Sequence, residues 1–99
     1  MSKKSVAIEL DKVRNVRLGF KALTIIEDTL KTPISKINFD EVSLSQIITI
    51  LYAGLVWEDS SLTKEKVIDL VDEYSSIEDV SKVIGEALTI AFGGNTEKK

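Results

Sequence analysis

Ninety-nine residues, 43% of them apolar and only one a proline, suffice for one domain with its own core. The absence of cysteine excludes a disulfide framework and a Cys-based zinc site, in keeping with a reducing compartment. The formal charge of −3 is unevenly placed: residues 1–33 carry seven Lys/Arg against four Asp/Glu, residues 34–99 six against twelve. Such an acidic two-thirds argues against nucleic acid as a partner, because phosphate binding needs a basic face.

Met1-Ser2-Lys3-Lys4 leads into a short alternating run, so no secretory signal is expected. Val6, Ile8 and Leu10 alternate with Ala7 and Glu9, and Val16, Leu18 and Phe20 alternate with Arg17 and Gly19. Period two predicts two half-buried strands joined by a polar loop, Asp11-Lys12-Val13-Arg14-Asn15. Pairing them sets Val6, Ile8, Leu10, Val16 and Leu18 on one face. A lone hairpin is marginal, so that face must lie on helices. Lys12, Arg14, Arg17 and Lys21 read as the solvated edge of this hairpin, the alternative being a small basic patch.

Phe20, Leu23, Ile26 and Leu30 recur at helical spacing and predict a first helix from Phe20 to Lys31, ended by Pro33. The connection Ile34 to Val42 is expected to tuck Ile37 and Phe39 into the core. Ser43 is a predicted N-cap for a helix from Leu44 to about Glu58. Leu44, Ile47, Ile48, Ile50, Leu51, Ala53, Leu55, Val56 and Trp57 cover most of its circumference, so it must be central or covered by another chain. This apolar run, interrupted by Thr49 and Gly54, is far too short to span a bilayer. Gly54 suggests a close helix approach, since glycine there costs up to about 1 kcal/mol against alanine.

Thr63 caps a predicted third helix, Lys64 to Tyr74, with Val67, Leu70, Val71 and Tyr74 as its stripe and Ile68 on the border. Ser76 and Asp79 resemble a capping box before a fourth helix, Ile77 to Phe92. Its main stripe is Ile77, Val80, Ile84, Ala87, Leu88 and Ala91. Val83 and Ile90 lie beside it, either as second-layer core or as an exposed strip. Gly93-Gly94 stops the helix, leaving 95–99 as a loose charged tail after a single domain spanning 1–94. The fold expected is α+β and mainly helical: an N-terminal hairpin packed on about four helices.

The residues offer little chemistry. Glu65, Asp69, Asp72 and Glu73 lie along one helix and read as a solvated face, whereas a hard cation needs converging oxygens. Ten serines have no histidine to serve as base, and Gly-Gly at 93–94 follows a helix where a phosphate loop would precede one. No catalytic residue, metal or cofactor is expected. Binding is the expected business of the chain. Trp57 reads as a core-closing residue or as an aromatic anchor for a partner. The partner-binding candidates are Ile48, Leu55, Trp57, Val83 and Ile90.

The order of motifs has a likeness. Arg17-Leu18-Gly19-Phe20 leads into Lys21-Ala22-Leu23 and a helix containing Glu27. Leu51-Tyr52-Ala53-Gly54-Leu55 runs to Glu58-Asp59, followed by Leu62-Thr63 and Glu65, then Val67. This resembles the tail assembly chaperones of long-tailed bacteriophages and prophages, over roughly residues 5–92. Two departures are Ile25-Ile26-Glu27-Asp28 in place of Leu-Glu-Glu, and a tryptophan moved from the position of Tyr52 to Trp57. The resemblance implies a protein of the host bacterial cytoplasm, absent from the mature virion. It would bind the tape measure protein, keep it soluble while the tail tube protein polymerises around it, and self-associate as a homo-oligomer when its apolar surface is free. A longer frameshifted form is implied too, with which Lys98-Lys99 is compatible. The alternative is a small structural or adaptor protein, such as a head–tail connector, acting by oligomerisation. Neither role involves nucleic acid or membrane.

Overall fold

A computed structural model describes residues 5–92, the side chain of Asp40 excepted. Gly93-Gly94, the tail 95–99 and the first four residues lie outside the described part. The fold is α+β and mainly helical. A two-stranded antiparallel hairpin, β1 (Val6–Glu9) and β2 (Val13–Val16), precedes α1 (Phe20–Leu30), α2 (Leu44–Leu55), α3 (Lys64–Tyr74) and α4 (Ile77–Ala91). Two short 3-10 turns, Ile34–Lys36 and Phe39–Glu41, fill the connection between α1 and α2.

The hairpin pairs Val6 with Val16, Ile8 with Arg14 and Glu9 with Val13. The loop is therefore Leu10 to Lys12, shorter than expected, and Val13 to Asn15 belong to β2. Alternation still sorts the faces. Ile8, Leu10, Val16 and Leu18 are buried, and Val6 is half-buried. The same alternation carries Arg14 inward, so it is not part of a solvated edge.

Caps set the helix starts. Ser43 Oγ accepts from Gln46 N–H at 3.2 Å, while Gln46 Oε1 accepts from Ser43 N–H at 2.8 Å, a complete capping box. Thr63 and Ser76 accept from the N–H groups of Lys66 and Asp79. The end of α1 is set by Lys31, whose φ of 57° places it in the left-handed region and turns the next N–H, that of Thr32, back onto Glu27 O at 3.3 Å. Pro33 comes after this stop and leads the first 3-10 turn. Glu27 also accepts from Ile34 N–H at 2.8 Å, tying that turn back to α1.

The central helix is α2. Ile48, Thr49, Ile50, Leu51, Ala53, Gly54 and Leu55 are buried along it. It contacts β2, α1, α3 and α4, so most of its apolar circumference is met by the domain's own elements, while Leu44 in its first turn stays exposed. Buried Thr49 satisfies its hydroxyl on Ser45 O at 3.1 Å. The core also takes Ile26 from α1, Val67 and Leu70 from α3, and Val80, Ile84, Ala87 and Leu88 from α4. Ile37 and Phe39 pack half-buried against it, as expected.

Three stripe members expected inside are outside. Phe20 is 90% exposed, Ile77 62% and Tyr74 53%. Each stands in the first or last turn of its helix. Helical spacing gives the direction of a side chain, not the length over which a neighbour covers the helix.

Candidate functional site

The end of α2 and the outer edge of β2 meet in a closed junction. Helix α2 stops at Leu55, short of the expected Glu58, where Glu58 N–H turns to Leu55 O at 3.1 Å instead of reaching Gly54 O. The carbonyl of Gly54 is thereby left for another donor, and Arg17 N–H takes it at 2.8 Å. Gly54 must lack a side chain for this. A Cβ there would lie 2.6 Å from Val16 Cγ1 and 3.2 Å from Leu18 Cδ2. The close approach expected of Gly54 is real, but its neighbour is the strand and not a helix.

The next residues complete the junction. Trp57 Nε1–H donates to Asn15 O at 2.9 Å, and Glu58 accepts from Asn15 N–H and Nδ2–H, both at 3.0 Å. Buried Arg14 donates to Asp11 at 2.8 and 3.0 Å and to Asp59 at 3.2 Å. From Asn15 to Arg17 the unpaired edge of β2 is thus occupied by a helix end, which also blocks the addition of a further strand. Trp57 neither closes the core nor stands free. It is 45% exposed, clamps the hairpin through its ring nitrogen, and carries the Arg17 guanidinium 5.6 Å from its ring centroid.

Charge follows this geometry. Hydrogen bonds from Arg14 hold the Asp11 carboxyl below the usual aspartate range. Asp59 is lowered first by Ser61 and then by Arg14. Glu58 is lowered by the two donors of Asn15. Arg14 is raised in turn, chiefly by Asp11. These carboxylates serve as structural acceptors. The expected solvated acids Glu65, Asp69, Asp72 and Glu73 are exposed on α3.

Beside the closed junction the surface is open. Phe20 separates two clefts. One, of about 290 Å³, is bounded by Arg17, Leu18, Leu23, Ile90 and Ala91. The other, of about 190 Å³, is bounded by Arg17, Lys21, Ala53, Val56 and Trp57. The arrangement is an aromatic ridge with a hollow on each side, each partly apolar, and two cations on its rim. It suits an apolar side-chain row laid across it.

Of the five partner-binding candidates, Trp57 and Ile90 border this surface. Val83 is half-buried against the core and borders neither cleft. Ile48 and Leu55 are corrected: at 8% and 1% exposure their side chains already fill the domain's own core. Phe20 was missed as a surface residue, whereas Arg17 and Lys21, read as solvated or as part of a basic patch, are exposed beside it. One signal was available, a phenylalanine at the first helical position between two cations, where burial by the next layer is least assured.

Comparison with protein-family models finds no match to the chain, and comparisons with curated proteins and with solved structures find none either.

Proposed function

We propose that this domain is a phage tail assembly chaperone that covers apolar helical segments of the tape measure protein and keeps it soluble during tail tube polymerisation. The observation carrying the reading is Phe20, a large aromatic 90% exposed between two clefts. An exposed aromatic anchor is a favoured element of a protein interface. The motif order from Arg17 to Val67 supports the reading from the sequence side.

The physics of the role is simple. Laying an amphipathic client helix over Phe20, Leu23 and Ile90 removes apolar surface from water at about 25 cal/mol per Å². A site this small holds one segment weakly, so many copies along one long client supply the retention. The acidic remainder of the chain keeps each covered segment in solution. Release needs only competition from tube subunits for the same client surface. The protein would act in the host bacterial cytoplasm and leave before the virion is complete.

Co-expression with a tape measure protein from the same genome tests the reading. That protein is expected in the soluble fraction and bound to this chain. Equal solubility without the chain, and no co-purification, would sink the proposal. Mass spectrometry of purified virions separates it from the adaptor alternative, because an adaptor remains in the particle.

A further inference from the structure

We infer that the Phe20 groove selects apolar helical segments flanked by carboxylates, discriminating against segments flanked by lysine or arginine. The inference rests on the chaperone reading only for what it says about the client, whose bound segments would be of this kind.

Charge complementarity carries it. The two clefts beside Phe20 include Arg17 and Lys21 among their boundaries and no Asp or Glu. Both cations are exposed, and among the described residues neither has a carboxylate partner. Arg14, three residues before Arg17, has two. The cationic rim therefore persists on a chain whose formal charge is −3. Glu86 bounds a separate hollow beyond Ile90, together with Val6 and Thr89.

Two further features sharpen the recognition. Arg17 lies over the Trp57 ring, which pre-orders its guanidinium at the groove wall. Lys21 follows Phe20 directly on α1. A carboxylate beside the apolar row of a bound helix reaches one or both cations while its neighbours fill the clefts. A lysine in the same place meets a like charge. Acidic clients are repelled by the rest of the chain, so attraction is confined to this face and orients the encounter.

The test uses the full chain and two synthetic helical peptides of about 20 residues, free of Trp and Tyr. Both carry the same Leu/Phe stripe at i, i+3, i+4 and i+7; one is flanked by Glu and the other by Lys. Trp57 is the only tryptophan, so its emission reports groove occupancy directly. At low ionic strength the Glu peptide is expected to bind about tenfold tighter, the scale of two rim charge pairs, and added salt should shrink that ratio. Arg17→Glu with Lys21→Glu should reverse the preference. Phe20→Ser should weaken both peptides alike. Lys21→Glu alone, at a position with no ion-pair partner among the described residues, keeps the test valid should the double variant fold poorly, and it should halve the preference or better.

Equal affinities, tighter binding of the Lys peptide, or a preference untouched by Lys21→Glu would overturn the inference. So would a salt-sensitive dimer abolished both by Phe20→Ser and by Asp69→Lys with Asp72→Lys, because α3 of a second copy would then be the occupant. Failure of the chaperone reading looks different: the peptides discriminate, yet the client's solubility does not depend on this chain. If the client is kept soluble equally well by Lys21→Glu but not by Phe20→Ser, and the peptides are bound alike, the reading stands and the inference falls.

Discussion

Residues 14–16 and residues 17–21 adjoin in the chain and have opposite surroundings. At 14–16 the polar groups are taken: buried Arg14 by two aspartates, Asn15 by Glu58 and Trp57. At 17–21 the side chains of Arg17, Phe20 and Lys21 are exposed. The boundary runs through Arg17, whose N–H belongs to the closed side and whose guanidinium faces the groove. A helix end explains the closed side. Its spare carbonyl and the acids just beyond it supply acceptors at the spacing of a strand edge. No such element covers the next turn of chain, and an aromatic is left in water.

Substitutions that break the closed side should cost stability, and those on the open side should cost only binding. The largest loss is expected for Gly54→Ala. Helix propensity gains up to about 1 kcal/mol, but a methyl 2.6 Å from fully buried Val16 must displace the strand. The net destabilisation should be about 2 kcal/mol, read as a Tm fall of roughly 8–16 °C. A smaller or absent fall would mean that the hairpin rides loosely on α2.

Next comes an asymmetry around Arg14. Asp11→Asn with Asp59→Asn leaves a buried guanidinium without compensating charge, and should lower Tm clearly. Arg14→Met fills the same space without charge and returns two partly exposed carboxylates to water, so it should stay within about 1 kcal/mol of wild type. Thermal melts of both variants check the order, and a reversed order would show that the ion pairs themselves stabilise the junction. Trp57→Phe is smaller still. It removes one half-exposed hydrogen bond and should cost about 0.5–1 kcal/mol in urea unfolding. Phe20→Ser lies at the end of the scale, within about 0.5 kcal/mol of wild type, while abolishing most client binding.

Acid sharpens the same contrast. Asp11, Glu58 and Asp59 all have lowered folded-state values, by Arg14, Asn15 and Ser61 first in turn. Below their ordinary values, near 4, the unfolded chain binds more protons than the folded one, so stability rises with pH there. Their contribution should be fully present above about pH 5 and lost progressively as pH falls through the folded-state values. Chemical denaturation from pH 6 to pH 2.5 should show that decline. Glu58→Gln should make it shallower, and an identical slope would mean that Glu58 is not engaged with Asn15 in solution.

Much of the fold was legible in the sequence, for local reasons. Thr63 and Lys64–Tyr74 were readable because a hydroxyl cap and a clean stripe coincide there. Ser76 and the start of α4 were readable likewise. The hairpin faces followed from period two, but its register did not, since alternation alone leaves the loop length open. The end of α2 was misplaced by three residues because Val56 and Trp57 are apolar, and only the competing donor from Arg17 shows why the helix stops at Leu55. The site was less legible. Ile48 and Leu55 have the same composition signal as a client-binding residue, and only their placement under neighbouring elements distinguishes them.

The sequence by itself determined where the four helices lie, that a hairpin precedes them and which faces are apolar, because these depend on spacing and caps within a few residues. The tertiary structure alone decided that Gly54 receives a strand, that Arg14 is buried between two aspartates, and that Phe20 stands in water between two clefts. Each of those depends on which distant segment arrives at a given helix turn, and side-chain periodicity carries no information about how far along a helix its neighbour extends.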